Sequence, residues 1–151
     1  MKILVFSDSH KVIQPMRDAI RLHNPDYVIH LGDHAADAET LRQEFPLLPI
    51  VGVPGNCDIP SAPLQHKANY DGVLILMSHG HIWNVKHNYL PAVLAGRQAG
   101  ANVVLFGHTH IPFCEQMEDG MWVMNPGSIR DGSYYGILTP GNAPLCRLER
   151  L

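Results

Sequence analysis

The sequence predicts a layered α/β fold, and three observations carry that prediction. Apolar runs alternate with helical patterns through the first third of the chain, in the order strand, helix, strand, helix, strand, the signature of βαβ units and a parallel sheet. Later apolar runs come in pairs around Asp71-Gly72 and Asp119-Gly120, two hairpin signals, so the second half turns more antiparallel. No repeat, low-complexity tract or linker interrupts the 151 residues, so one domain spanning 1–151 is expected.

The elements follow in order. Ile3 to Phe6 is a short apolar run bounded by polar residues, a buried strand. Pro15 suits a first helical turn, Met16, Ala19, Ile20 and His23 recur at helical spacing, and Asn24-Pro25 stops the helix. Tyr27 to Leu31 is a second strand, Ala35 to Phe45 a helix, and Leu48 to Val53 a third strand ending at Pro54-Gly55. Leu64 to Ala68 and Val73 to Met77 read as strands. Tyr89 to Gly100 is helical with Gly100 as its stop, and Val103 to Phe106 is another buried strand. Phe113 to Met117, Met121 to Met124, Tyr134 to Leu138 and Leu145 to Leu148 complete the strands.

Composition narrows the function. Net charge is −3, which argues against a broad electrostatic grip on nucleic acid or an anionic membrane, so no stable nucleic-acid complex is expected. No apolar run reaches the roughly 18 residues of a membrane span, and the N-terminus lacks a signal h-region, so a cytoplasmic protein is expected. The three cysteines, Cys57, Cys114 and Cys146, form no CxxC pair, which excludes a zinc knuckle and a disulfide framework. Ten histidines are the unusual count.

Their placement gives that count meaning. Asp8 and His10 follow the first strand, Asp33 the second, Asn56 the third, His79 the Val73 strand, and His108 and His110 the Val103 strand. Open α/β sheets place ligand sites at such C-terminal strand ends. On extended chain, alternate residues point the same way, so Asp8 with His10 and His108 with His110 are expected to face one site. Imidazole nitrogen mixed with hard oxygen suits Mn, Fe, Zn, Co or Ni. Seven such ligands are too many for one tetrahedral ion and about right for two, sharing a bridging carboxylate roughly 3.5–4 Å apart.

Taken together, Asp8-Ser9-His10, Gly32-Asp33, Gly55-Asn56-Cys57-Asp58, Ser78-His79-Gly80-His81 and Gly107-His108-Thr109-His110 resemble the five motifs of calcineurin-like metallophosphoesterases. Asn125-Pro126-Gly127-Ser128 matches a further block of the small YfcE-like branch, and the resemblance runs from residue 3 to about 139. It implies a four-layer α-β-β-α sandwich, two mixed sheets flanked by helices. It implies that Asp8, His10 and His110 hold one ion, that Asp33 bridges, and that Asn56, His79 and His108 complete the second. A hydroxide between the ions would attack phosphorus, with His81 near the phosphate and the Asn125 to Ser128 turn shaping the substrate site. The activity implied is hydrolysis of a small phosphodiester, with Mn²⁺ the favoured metal and phosphomonoesters still open. Nucleotide- and phospholipid-derived esters are equally compatible.

Cys57 departs from the broader superfamily, in which a histidine often stands at this position as proton donor; the small branch also shows Gly-Asn-Cys-Asp. That leaves Cys57 and His81 as alternative acids. Lys11 and His34 are smaller departures at the site mouth. His23, His30, His66 and His87 read as surface residues, Cys114 and Cys146 as core-facing, and Asp58 as a loop residue positioning Asn56. The rival reading is a non-catalytic interaction scaffold, as in the retromer scaffold subunit, which resembles this branch. Exposed Ile82-Trp83 would then be a candidate patch, also for homo-oligomers.

Overall fold

The computed structural model describes residues 1–60 and 62–151. Its strands are β1 (Ile3–Phe6), β2 (Tyr27–His30), β3 (Ile50–Gly52), β4 (Gln65–Tyr70), β5 (Val73–Ser78), β6 (Val103–Leu105), β7 (Phe113–Gln116), β8 (Trp122–Asn125), β9 (Tyr134–Thr139) and β10 (Leu145–Arg150). The helices are α1 (Gln14–His23), α2 (Ala36–Glu44) and α3 (Leu90–Ala99). They form one sheet in the order β10-β9-β1-β2-β3 and a second in the order β4-β5-β6-β8-β7. In each sheet the central strands are parallel and the outer pairings include antiparallel ones, so both are mixed.

Side-chain alternation along β1 explains the layering. Ile3 and Val5 pack with Ile75, Met77, Val103 and Leu105 in the core between the sheets. Leu4 and Phe6 point the other way, onto Met16, Ala19 and Ile20 of α1 and Leu41 of α2. On the far side, Leu76 and Val104 meet Ala92 and Val93 of α3. The result is helices, sheet, sheet, helix, the four layers expected. Each fully buried aliphatic or aromatic side chain here contributes about 1.5–3 kcal/mol of transfer free energy.

Local chemistry fixes the boundaries. Asn24 (φ 44°) and Gly100 (φ 68°) end α1 and α3 in left-handed caps. Asp71 (φ 52°) and Gly72 (φ 81°) make the two-residue turn that joins Tyr70 to Val73 in register. The third strand is shorter than expected, because Pro49 and Pro54 flank it; Val53 still donates to the His30 carbonyl at 3.1 Å. The strand expected at 64–68 runs instead from Gln65 to Tyr70, drawn out by pairing with β5. A 3-10 turn, His81–Trp83, was not foreseen; it follows Gly80, whose φ is 111°. Among the described residues, no helix is long and apolar enough to cross a membrane.

Candidate metal centre

The loops that leave β1, β2, β5 and β6 converge on one end of the sandwich. They bring together two groups, Asp8 with His10 and His110, and Asp33 with His79 and His108, whose ligand atoms lie within 4.8 Å of one another in each group. The groups adjoin: His10 Nε2 is 3.6 Å from Asp33 Oδ2, and His79 Nε2 is 3.8 Å from Asp8 Oδ1. Extended-chain alternation does not achieve this, contrary to the spacing argument. Asp8, His10, Asp33, His108 and His110 all have left-handed φ, between 42° and 72°. Non-glycine residues held there cost of order 1 kcal/mol or more each and persist where the surroundings over-determine them, commonly at functional sites.

Each carboxylate is fastened by one oxygen and presents the other. Asp8 Oδ2 accepts from Ser7 Oγ at 2.5 Å and from the His108 N–H at 3.1 Å, leaving Oδ1 toward the histidines. Asp33 Oδ1 accepts from the Cys57 N–H at 3.0 Å, leaving Oδ2 inward. Two imidazoles are fixed the same way. His79 Nδ1 donates to the Leu31 carbonyl at 2.8 Å, and His110 Nδ1 donates to Asp131 Oδ2 at 2.7 Å. In the neutral rings both Nε2 lone pairs therefore point inward, where His110 Nε2 lies 3.0 Å from Asp8 Oδ1 and His79 Nε2 3.4 Å from Asp33 Oδ2.

Ring nitrogens converging on carboxylate oxygens is an arrangement that a cation satisfies, a proton on His79 in the bare protein or a divalent ion in its place. Among the described residues, Asp8 Oδ1 and His10 Nε2 are buried without a hydrogen-bond partner, a cost of about 1–3 kcal/mol per group that a bound ion removes. Electrostatics agree. Burial would push the Asp33 carboxyl up, but the hydrogen bond and charge of His79 and the Cys57 contacts hold it well below the usual carboxylate range. Burial would likewise depress His79, but Asp33, Asp8 and the Leu31 carbonyl outweigh it and raise that ring. His108 goes down to about 4 through burial, with His79 and Lys86 adding to the shift. The residues fit divalent metal.

Comparison with known proteins agrees with this geometry. The family model for the calcineurin-like phosphoesterase superfamily domain matches residues 1–139. The chain belongs to that superfamily, in its small YfcE-like branch. It is 32% identical over 131 residues to the Probable metallophosphoesterase YsnB of Bacillus subtilis, covering 86% of this chain and 76% of that protein. It is 27% identical over 145 residues to a phosphodiesterase of Methanocaldococcus jannaschii, covering 84% and 83%. Among solved structures, Vacuolar Protein Sorting 29 from Cryptosporidium parvum superposes with a TM-score of 0.83 at 15% identity, covering 99% of this chain and 91% of that one. Wild-type Vps29 of Entamoeba histolytica complexed with zinc gives 0.77 at 17%, covering 99% of each. These structural likenesses concern the fold.

The superfamily motifs fall at the centre unevenly. Asn56 is exposed, its amide in a long 3.7 Å contact with Cys57 Sγ. Cys57 is exposed, and desolvation, with Asp33 beside it, raises its thiol above the ordinary value. The His81 ring centroid lies 5.7 Å from His79 and 6.2 Å from His108, with Nδ1 buried and unpartnered. Asn125 and Ser128, expected at the substrate, are fully buried beneath the loops. Asn125 donates to the Gly107 carbonyl (3.0 Å) and Thr109 Oγ1 (2.9 Å), and Ser128 Oγ donates to the Asp8 carbonyl (2.9 Å), so both brace the ligand loops from below. Asp58 ties its own loop to the next, accepting from the His34, Ala35 and Gly55 N–H groups.

Two residues escaped the sequence reading. Asp131, the partner of His110, lies in no motif. His30, expected on the surface, is fully buried. Its Nδ1 accepts from the Gly32 N–H at 3.1 Å and its Nε2 lies 2.8 Å from Ser9 Oγ, which donates to Asp37 at 2.6 Å. A polar residue at the last position of a buried parallel strand was the available signal. Trp83 is buried too, so only Ile82 of the expected patch is exposed.

Proposed function

We propose that this chain hydrolyses phosphodiesters with two divalent ions, Mn²⁺ the favoured metal. Asp8, His10 and His110 would hold one ion, His79, His108 and Asn56 the other, and Asp33 would bridge. The observation that carries the proposal is the pair of adjoining ligand groups, with inward Asp8 Oδ1 and His10 Nε2 left unpartnered. When bound, such ions neutralise phosphate oxygens and make water a nucleophile near neutral pH. Asn56, exposed on the loop that follows β3, would complete the second set. His81 presents a nitrogen beside His79 and His108 to the phosphate or the leaving oxygen. Cys57 stands as the alternative donor, but its Asp33 neighbour makes the thiol hold its proton.

Among the described residues the helices and strands all belong to the two sheets and their flanking layers, which leaves the site open and favours small diesters as substrates. We place the protein in the cytoplasm and allow for homo-oligomers. The test is hydrolysis of bis(p-nitrophenyl) phosphate. Activity lost with EDTA should return with Mn²⁺, and Asp33→Asn should abolish it while leaving the circular dichroism spectrum intact. Full activity in Asp33→Asn would defeat the proposal. The scaffold reading predicts a different titration: calorimetry on stripped protein would detect no metal, where the enzyme binds two per chain.

A further inference from the structure

We propose that the cleft between α2 and the open edge of β3 is the subsite for the organic half of the substrate, and that it takes a nucleobase. This rests on the phosphodiesterase reading above. The cleft has a volume of about 540 Å³, within the range of small-ligand sites. His34 and Cys57 line it; they follow Asp33 and Asn56 in sequence, and the Cys57 N–H is bonded to Asp33 Oδ1, so the cleft adjoins the loops of the metal centre although no metal ligand lines it.

Its chemistry follows from the strand edge. In the β2–β3 ladder, Val28 donates to Pro49 and Val53 to His30, so alternate residues of β3 face β2. Ile50 and Gly52 face outward. The Ile50 carbonyl is taken by Arg42 Nε at 3.0 Å, while the N–H and C=O of Gly52 point away from β2 at the strand edge, and the partly exposed Gly52 lines the cleft. Side by side, they offer one donor and one acceptor. Arg42 Nη1 is engaged by Glu39 at 3.1 Å; Arg42 Nη2 lies near Gly52 and adds a further donor.

These features select among organic groups. A second phosphate is disfavoured, because Glu39 and Asp58 line the same cleft as Arg42 and cancel its charge. An acyl chain would bury the Gly52 N–H and C=O with nothing to bond them, at a cost of roughly 1–3 kcal/mol per group. A planar ring with adjacent donor and acceptor satisfies both, and Ala35, Val53 and Ile59 supply apolar walls for its faces.

The test compares two chromogenic diesters with the same leaving group on Mn²⁺-loaded protein: bis(p-nitrophenyl) phosphate and the p-nitrophenyl ester of thymidine 5′-monophosphate. The nucleotide ester should show a KM at least fivefold lower, and Arg42→Ala should reduce that ratio severalfold. Equal KM values, or a preference untouched by Arg42→Ala, would overturn the subsite while leaving the phosphodiesterase standing. Hydrolysis of neither ester would defeat the phosphodiesterase reading instead. A second measurement then judges the cleft alone, and needs no variant. Adenosine 5′-monophosphate titrated into Zn²⁺-loaded protein should move the Gly52 amide resonance saturably. A Gly52 amide that stays still while other amides shift sinks the proposal.

Discussion

Asp131 accepts a 2.7 Å hydrogen bond from His110 Nδ1, which turns His110 Nε2 to face Asp8 Oδ1 at 3.0 Å. Arg130 Nε donates to the Asp131 carboxylate at 2.8 Å, and the Asp131 backbone N–H donates to Ser128 Oγ at 3.0 Å, so the residue is held at both ends. Arg130, with His110 assisting, keeps the Asp131 carboxyl down at about 2, so it is ionised throughout the working pH range. Partners of this kind fix the tautomer of a ligating histidine and typically contribute 10–100-fold to metal affinity. Asp131→Ala should weaken one ion of the pair by about that factor and leave the other nearly unchanged. Calorimetric titration reads this as a single isotherm splitting into two; unchanged binding would mean that Asp131 merely touches the ring.

His30 ties the first two ligand loops together from beneath. Its neutral form is demanded by geometry, since Nδ1 must keep a lone pair for the Gly32 N–H. Burial lowers its pKa to about 4, against smaller opposing effects from Asp37, Asp58 and Asp8, with His79 reinforcing the burial. Between about 6.5 and 4 the unfolded chain therefore binds the proton and the folded chain does not. The stability His30 secures is complete above 6.5 and falls as pH drops toward 4, by about 3 kcal/mol in all. Urea unfolding of metal-free protein across that range should show this loss, and His30→Gln should show a flatter profile. Identical slopes for the two proteins would refute the assignment.

The sequence exposed whatever depends on local order. Apolar runs ending in Ser7-Asp8, Gly32-Asp33 or Gly107-His108 mark both the strand and the side chain it delivers. That is why the four layers and the residues of both ligand groups were legible. What stayed hidden depends on tertiary neighbours. Asp131 is 21 residues from His110 and Ser128 is 120 from Asp8, and nothing in the intervening chain says they meet. Asn125 and Ser128 were visible as a motif, yet a motif does not reveal whether its side chains face out or brace from below. His30 misled because most histidines are exposed; its bonds to Ser9 Oγ and the Gly32 N–H, made only in the folded chain, require it inside.

Gly107 tests how tightly the centre is packed. A Cβ there would overlap Ser7 Oγ and come within 2.8 Å of Asp8 Oδ2, the oxygen that Ser7 and the His108 N–H hold in place. Neither neighbour can withdraw, because both are fully buried. Gly107→Ala should cost about 1–3 kcal/mol in denaturant unfolding, and should also lower affinity at the Asp8 group by displacing that carboxylate. Gly72→Ala is the control, since nothing lies within 4 Å of a Cβ at that hairpin; its left-handed φ of 81° gives it a backbone penalty of about 1 kcal/mol or more, without the metal defect. A Gly107 variant with normal metal affinity would show that Asp8 tolerates the shift.

Metal removal should be felt by the whole fold. Without a metal, Asp8 Oδ1 and His10 Nε2 lie buried with no hydrogen-bond partner among the described residues, and His110 turns its Nε2 toward Asp8 Oδ1. Five ligand residues hold left-handed backbone for the sake of that arrangement. A ligand present at a hundred times its dissociation constant stabilises the folded state by about 2.7 kcal/mol, which for a chain of this length raises Tm by about 5–10 °C. Mn²⁺ added to EDTA-stripped protein should produce such a rise, growing with metal concentration. His10→Ala should remove part of it, and His10→Ala with Asp33→Asn nearly all. If Tm is instead indifferent to Mn²⁺, Zn²⁺ and Ni²⁺ alike, the converging lone pairs do not form a metal centre, and the strain in these loops needs another cause.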